Sequence, residues 1–511
     1  MDQSMITFRK LRPTPVTVCF FLAAACSNAP DVPETPIEEQ ARWAVCDWST
    51  GTGDREAECA FVTVPLEHGA SLSERYRLLV KRRGASAPLQ AQVWLVSGGP
   101  GDAATANMER LSGGIHQDRP DIALYAVDHR GTGGSERLDC PGLAGSATSI
   151  QTGVAEVEAC GAELHARLGD RLSHVTLTAS AHDLAALITA NREPGVPVFV
   201  YGGSYGTIVI QRYLELYPNQ PDGVIMEALA TGRFLDGYDA SFERTGRNLL
   251  RRCAVDPACA DRFDGDPWDI AQRAVASLDN GSCTALGASS ADARLLFGSM
   301  LFSAPVRDLI PAAVLRLNRC RPEDVSALNT LAGRLTELAV SDDGSSDVLG
   351  AHVFLSETQP PRDRSYTLLQ DLAGYTMATG LEAHISRIEA WPRTQGQGVP
   401  LTPPPYDGPL LMLQGALDAP TPLSRANLLR DTYRGPSQVW AEFPDGSHQL
   451  TGATPMLNGD DCARRIRIQF LDNPFTPPDL GCIAQVMPPA WEGSDALNLF
   501  LFGNANAWGE N

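Results

Sequence analysis

Ser204 stands in Gly202-Gly203-Ser204-Tyr205-Gly206, a Gly-x-Ser-x-Gly pattern. A serine hydroxyl is a weak nucleophile near neutral pH and needs a base beside it. Small residues on either side let a strand turn sharply into a helix, which lifts the hydroxyl clear of the sheet. The helix N-terminus then brings free N–H groups and positive dipole to the reacting centre. The pattern alone is common and fits a plain glycine-rich turn; a buried-type strand before it and an amphipathic helix after it make it informative. In such a strand–turn–helix setting the acid and the histidine follow the serine in chain order. Of nine histidines only His352, His384 and His448 follow Ser204. His448 ends Phe443-Pro-Asp-Gly-Ser-His448, a turn-rich loop after a strand and a fitting place for a base. Asp418, just past another strand, is the expected acid, fixing the imidazole tautomer and stabilising the imidazolium. Asp445 is the rival acid, less suited because it shares the loop of His448.

Acyl transfer also needs two backbone N–H donors where negative charge develops. Tyr205, directly after Ser204, is expected to supply one. The other is expected from Gly98-Gly99-Pro100-Gly101, where Pro100 has no N–H, so Gly99 is the first choice and Gly98 the second. A serine–lysine mechanism would have to depend on Lys81, since the only other lysine is Lys10. Tight Cys-x-x-Cys spacing of the zinc type is missing, so neither a metal nor a cofactor is expected.

The elements that must position these residues alternate. Strands are expected at 59–64 and 75–82, joined by a turn around Gly69, and at 92–97, 121–128, 196–201 and 224–226. Helices are expected at 180–191, with Ser180 as N-cap, and at 205–217. Strands alternating with helices imply an α/β fold with a mostly parallel sheet covered on both faces. From 231 to 400 the rhythm gives way to helical segments, for example 269–278 and 324–338. Strands resume at 409–413 and 438–443. The expected organisation is a signal segment over 1–26, a linker over 27–42, a first core part over 43–230, a helical cap over 231–400, a second core part over 401–485 carrying the acid and the histidine, and a tail over 486–511. In that tail the run Leu499-Phe500-Leu501-Phe502 is suited to pack on the core or cover an edge.

Arg9, Lys10 and Arg12 precede a short apolar run, 16–25, that is too short to span a bilayer. It ends in Leu22-Ala23-Ala24-Ala25-Cys26, which resembles a bacterial lipoprotein box and makes Cys26 a lipidation candidate; cleavage after the alanines without lipidation is the alternative. Export, to the periplasm or another extracytoplasmic site, is the expectation, with any membrane contact made through Cys26. Ten of the 12 cysteines lie beyond the leader, an even number that suits disulfides in an exported chain. Connectivity cannot be deduced from sequence, but short loops favour pairing each cysteine with its neighbour in the chain. The simplest pairing joins Cys46 with Cys59, Cys140 with Cys160, Cys253 with Cys259, Cys283 with Cys320, and Cys462 with Cys482. The formal net charge of −20, with no basic runs, argues against a nucleic-acid partner.

Taken together in order, Gly98-Gly-Pro-Gly101, Asp128-His-Arg-Gly-Thr-Gly-Gly-Ser135, the Ser204 pentapeptide, Gly415-Ala-Leu-Asp418-Ala-Pro-Thr-Pro and His448 resemble the proline iminopeptidase and tripeptidyl aminopeptidase branch of the α/β-hydrolases, from about Trp43 to Cys482. The resemblance implies the α/β-hydrolase fold with a helical cap inserted after the sixth strand. It also implies exopeptidases or related amidases acting at a free amino terminus, with Asp128 and Arg130 bracing a loop. In tripeptidyl-type relatives the cap carries a Cys-x-Glu and a later Cys-x-x-Trp segment. Here Leu355-Ser356-Glu357 and Ile388-Glu389-Ala390-Trp391 stand in their places, a paired loss of both cysteines. An aminopeptidase must bind an ammonium group, for which a carboxylate is the partner. Glu357 is the first candidate and Glu227 the second, against the alternative that both are ordinary solvated or helix-pairing glutamates. The expected substrate is a peptide or a small ester or amide. An esterase with the same triad is the alternative, and a catalytically silent lipoprotein that binds a ligand is the reading from another class.

Overall fold

The computed structural model describes residues 42–509, apart from 71, 87, 340–343, 359–371, 393 and 395–397. The leader, Cys26 and the linker through 41 lie outside the described residues. Among the described residues nine strands form one sheet: β1 (Ala44–Cys46), β2 (Ala57–Pro65), β3 (Arg75–Arg83), β4 (Ala91–Val96), β5 (Ile122–Val127), β6 (Val198–Gly203), β7 (Gly223–Glu227), β8 (Leu410–Gly415) and β9 (Gln438–Phe443). Their order is β1-β2-β3-β5-β4-β6-β7-β8-β9. The pairs β1–β2, β2–β3 and β3–β5 are antiparallel, and every pair from β5 to β9 is parallel.

Side chains alternate across a strand, and here the alternation sorts one apolar run into two cores. Trp94, Val96, Val198, Val200, Val224, Met226, Leu410 and Met412 join one core. Val93, Leu95, Phe199, Tyr201, Ile225, Leu411 and Leu413 join the other. This is why β4, β5, β7 and β8 are buried at every position: a parallel sheet with both faces covered leaves no polar side. The first face packs α1 (Leu177–Asn191) and α2 (Tyr205–Leu216), and the second packs the helix Cys462–Asp472.

The sheet has one more strand than the sequence pattern predicts. Ala44–Cys46 is only three residues long and its burial pattern is exposed, exposed, intermediate, so it carries no hydrophobic period. Pairing to β2 and the disulfide from Cys46 to Cys59 hold it. The helical stretch therefore follows the seventh strand and not the sixth. Between β7 and β8 the described residues form helices and no strand, among them Tyr238–Cys253, Pro267–Ser277, Ser290–Met300, Ile310–Arg319 and Pro322–Ala339. Three helices start earlier than their sequence signals suggest, among them the one expected from 324, which begins at Pro322. The helix expected from Ser180 begins at Leu177, because the Thr176 side chain accepts from the Ala179 N–H and caps it first. The helix expected from 269 begins at Pro267, with Asp266 accepting from the N–H groups of Trp268 and Asp269.

Among the described residues five disulfides are formed, and each joins neighbouring cysteines as the short loops favour. Cys46 bonds Cys59 across a separation of 13 residues, and Cys140 bonds Cys160 across 20. In the helical stretch Cys253 bonds Cys259 across 6 residues, and Cys283 bonds Cys320 across 37. Cys462 bonds Cys482 across 20, which ties the chain after the helix Cys462–Asp472 back to the start of that helix. The tail forms a helix, Asp495–Phe502, whose Leu501 and Phe502 are buried while Leu499 and Phe500 face outward. Half of the apolar run thus packs on the core. No described helix is long and apolar enough to cross a membrane.

Candidate active site

Because β4, β6, β7, β8 and β9 are parallel, the loops that leave their C-terminal ends gather at one edge of the sheet. That is the edge at which open parallel sheets place ligands. Val96 lies opposite Gly202 and Gly203 opposite Glu227, so the residues after β4, β6 and β7 stand side by side. Ser97–Gly98, Ser204, Ala228, Asp418 and His448 all follow strand ends at this edge.

Ser204 occupies the turn from β6 into α2 with φ 54° and ψ −126°. A serine at positive φ is strained, and the neighbours hold it there. The Ser204 N–H donates to the Glu227 carbonyl at 3.0 Å, and the Thr207 N–H and Oγ1 donate to the Ser204 carbonyl at 2.9 and 2.7 Å. The glycines of the motif are required by space. A Cβ on Gly202 would meet the Gly206 carbonyl oxygen at 2.8 Å, and one on Gly206 would meet the Val96 carbonyl oxygen at 2.7 Å. A Cβ on Gly98 would lie 3.0 Å from the Ser204 Cβ, so the loop after β4 passes directly over the serine. Gly99 follows with φ 101°, and its N–H has no acceptor among the described residues. Tyr205 opens α2, where an N–H has no partner within the helix.

His448 Nδ1 lies 3.0 and 3.1 Å from the two carboxylate oxygens of Asp418. Asp418 is buried and also accepts from the Thr421 N–H and Oγ1 at 2.8 and 2.7 Å. These bonds fix the carboxylate, and an ionised carboxylate can only accept, so the ring nitrogen facing it carries hydrogen and Nε2 is left as the base. Burial by itself would lower the His448 pKa, but the charge and hydrogen bond of Asp418, with Glu227 and Asp102, hold it above the ordinary histidine value. The rival acid Asp445 is turned away: its carboxylate pairs with Arg252 and its carbonyl accepts from Arg307. His352 and His384 are buried in the helical stretch, His352 between the Val175 carbonyl and the Trp391 indole N–H. Lys81 is buried on β3 and donates to the Trp48 carbonyl.

Ser204, His448, Gly98 and Gly99 line one cavity of about 290 Å³. The helical stretch contributes Tyr238 and Phe302 to its wall, and the Phe302 ring stands edge-on to His448 at 6.4 Å. Of the two glutamates expected to meet a substrate amine, Glu227 lines this cavity and Glu357 does not. Glu227 Oε1 accepts from the N–H groups of Leu450 and Thr451 at 2.9 and 3.0 Å, and Oε2 from Thr451 Oγ1 and the Tyr201 hydroxyl at 2.8 and 3.3 Å. Those four donors use the lone pairs of a carboxylate. Glu227 thereby ties down the segment that follows His448.

Glu357 is buried against the start of α1, accepting from the Leu177 N–H at 2.8 Å. Burial pushes its carboxyl up to about 7, against the lowering effects of that N–H and of Arg212. Because the folded-state value is raised, its contribution to stability is complete below the unfolded value and is lost as pH rises through about 7. Glu357→Gln keeps the acceptor and cannot ionise. In urea unfolding it should match the wild type near about pH 5 and exceed it by roughly 2–3 kcal/mol near about pH 8.

A family model described as serine aminopeptidase, S33, matches residues 116–253, a span that holds Ser204 but neither Asp418 nor His448. No curated protein matches the chain. Among solved structures the chain is similar to proline iminopeptidase of Mycobacterium smegmatis, at 14% identity and TM-score 0.37, over 81% of this chain and 99% of that one. It is similar to acetyl xylan esterase 1 of Thermoanaerobacterium sp. JW/SL YS485, at 14% identity and TM-score 0.35, over 86% and 89% of the two chains. It is also similar to a thermophilic esterase of Thermogutta terrifontis, at 16% identity and TM-score 0.35, over 81% and 99%.

Proposed function

We propose that this chain, which has the α/β-hydrolase fold and belongs to the α/β-hydrolase superfamily, is an exported serine aminopeptidase with Ser204, His448 and Asp418 as its triad. The observation that carries the reading is the strained Ser204 sharing one cavity with a His448 whose Nδ1 is fixed by a buried Asp418. The serine aminopeptidase family model over residues 116–253 supports the choice of an amide at a free amino terminus.

In this mechanism Ser204 Oγ attacks the scissile carbonyl carbon while His448 Nε2 takes its proton. Negative charge moves to the carbonyl oxygen, where the N–H groups of Gly99 and Tyr205 receive it; each such donor lowers the barrier by about 3 kcal/mol. The C–N bond then breaks, His448 returns the proton to the leaving amine, and an acyl ester remains on Ser204. Water, deprotonated by His448, attacks that ester, releases the acid and restores the serine hydroxyl. Five disulfides support an oxidising, extracytoplasmic location, with Cys26 as the proposed anchor.

The test is a pair of substrates, an aminoacyl p-nitroanilide and its N-acetylated twin. An aminopeptidase should favour the free amine by about tenfold or more in kcat/KM, the worth of one charge-assisted contact. Equal rates would refute an aminopeptidase and leave an esterase or amidase working through the same triad.

A further inference from the structure

One residue reaches both the nucleophile and the base. Glu227 closes β7 opposite Gly203 of β6, and it is buried. Its backbone carbonyl accepts from the Ser204 N–H at 3.0 Å. Its carboxylate accepts from the N–H groups of Leu450 and Thr451, at 2.9 and 3.0 Å, and from Thr451 Oγ1 at 2.8 Å. Those donors lie on the main chain just beyond His448. The Tyr201 hydroxyl, on the strand that leads to Ser204, donates to the same carboxylate at 3.3 Å. Ahead of His448 the chain is held from the turn after β8, where the Leu417 N–H donates to the Gly446 carbonyl at 3.0 Å. His448 thus stands between two anchors, and Glu227 is the one that also holds Ser204.

We propose that Glu227 is a positioning residue that sets the distance between nucleophile and base, through its carbonyl to Ser204 and its carboxylate to the chain after His448. The assignment rests on the triad of the reading above and is indifferent to whether the substrate is an amide or an ester. Asp418 orients the imidazole through Nδ1. A bond to the ring does not by itself hold the main chain that carries the ring, and the Glu227 bonds go to that main chain. The choice of residue also fits the task. Four donors converge on the side chain, and a carboxylate has lone pairs for all four where an amide oxygen has two. Glu227 lines the cavity that holds Ser204 and His448, so its charge also acts on the base.

That charge gives the role a signature that a bare tie in the fold would lack. The charged and titratable groups around His448 are Asp418 after β8, Glu227, Asp102 after the glycine loop and, in the same cavity wall, Arg110, Tyr201 and Tyr238. Behind Glu227 the buried guanidinium of Arg467 stacks on the Tyr201 ring at 4.2 Å. Asp418, Glu227 and Asp102 raise the His448 pKa against the effect of burial. The imidazole must be neutral to take the serine proton. Loss of the Glu227 charge therefore moves the acid limb of Ser204 reactivity to lower pH. Loss of reach acts differently: a base displaced by about 1 Å loses about 100-fold in rate, at every pH.

The experiment follows the second-order rate of Ser204 labelling by a fluorophosphonate from about pH 5 to 9 in the full chain, a reaction that needs nucleophile and base but no substrate amine. Glu227→Gln keeps an acceptor for Leu450 and Thr451, and its amide can donate to the two hydroxyls. Its alkaline plateau should stay near that of the wild type while the limb moves to lower pH. Glu227→Asp keeps the charge but is one methylene short. Its limb should stay while the plateau falls by about 10- to 100-fold. The carbonyl that holds Ser204 is untouched in both, and a melting curve reports folding. An unchanged plateau in folded Glu227→Asp, or an undisplaced limb in folded Glu227→Gln, overturns the assignment and leaves the triad standing. Should neither variant fold, Thr451→Val decides. It removes one donor and should lower the plateau by about three- to tenfold, and an unchanged plateau there overturns the assignment. A wild type that does not label overturns the triad, and the assignment with it.

Discussion

Ser204→Ala should reduce kcat by about 10⁴- to 10⁶-fold on every substrate the wild type cleaves, and should abolish fluorophosphonate labelling. The size follows from the role. Only Ser204 Oγ forms a bond to carbon, so what remains is the binding and oxyanion contribution to attack by water. The fold should be spared. Alanine carries the same Cβ, so it bears the same positive φ and the same close approach to Gly98. Neither structural bond of Ser204 uses the hydroxyl: its N–H donates to Glu227 and its carbonyl accepts from Thr207. An unchanged melting temperature with lost turnover is therefore the expected pair of results. Full activity in Ser204→Ala, or loss of wild-type activity to a chelator, would refute the triad.

The parts of this site that were legible in sequence are those whose chemistry constrains local residue type. A serine forced to positive φ between close backbones needs glycine at 202 and 206, so the turn is written in the pentapeptide. Chain order then left few histidines, and a strand end before each of Asp418 and His448 placed them at one sheet edge. The disulfides were legible for a similar reason. Pairs such as Cys140 with Cys160 and Cys253 with Cys259 close short loops within one region of the chain, and Cys283 with Cys320 spans the widest separation, still within the helical stretch. What stayed hidden depends on contacts between distant segments. Glu227 reads as a carboxylate after a strand; that its oxygens are spent on Leu450, Thr451 and Tyr201 follows only from β7 lying beside β6, which carries Tyr201, and from the path taken after His448. Glu357 is marked by its motif position, yet its segment packs on α1 and the residue does not line the cavity of Ser204. Phe302 carries no signal of its place at the cavity wall, since nothing in its neighbourhood in the chain marks which way it faces. The short strand at 44–46 was missed because three largely exposed residues carry no period.

Asp418→Asn should lower kcat by about 10⁴-fold and shift the acid limb of kcat/KM to lower pH. Two separate effects of one carboxylate produce this. The first is the tautomer. Asp418 accepts from Thr421 and from His448 Nδ1, which leaves Nε2 free to take the serine proton. Asparagine can satisfy Thr421 with its oxygen and then present an N–H to Nδ1, which turns that nitrogen into the acceptor and places the ring hydrogen on Nε2, where it blocks the base. Raising the pH does not correct a wrong tautomer, so the alkaline plateau should stay low. The second is charge. Burial lowers the His448 pKa, and Asp418 is the first of the groups that raise it. The base is available only once the imidazolium has lost its proton, so wild-type kcat/KM should rise with pH through a value above the ordinary histidine one. Without the Asp418 charge burial has less to oppose it, and the limb should move toward acid. Glu227 and Asp102 also raise that pKa, so the shift should be partial. Profiles of kcat/KM from about pH 5 to 9 for the two proteins separate the effects: a lowered plateau reports the tautomer and a displaced limb reports the charge. An asparagine variant with an undisplaced limb would mean that Asp418 does not set the protonation of His448, and the acid of this site would have to be sought elsewhere.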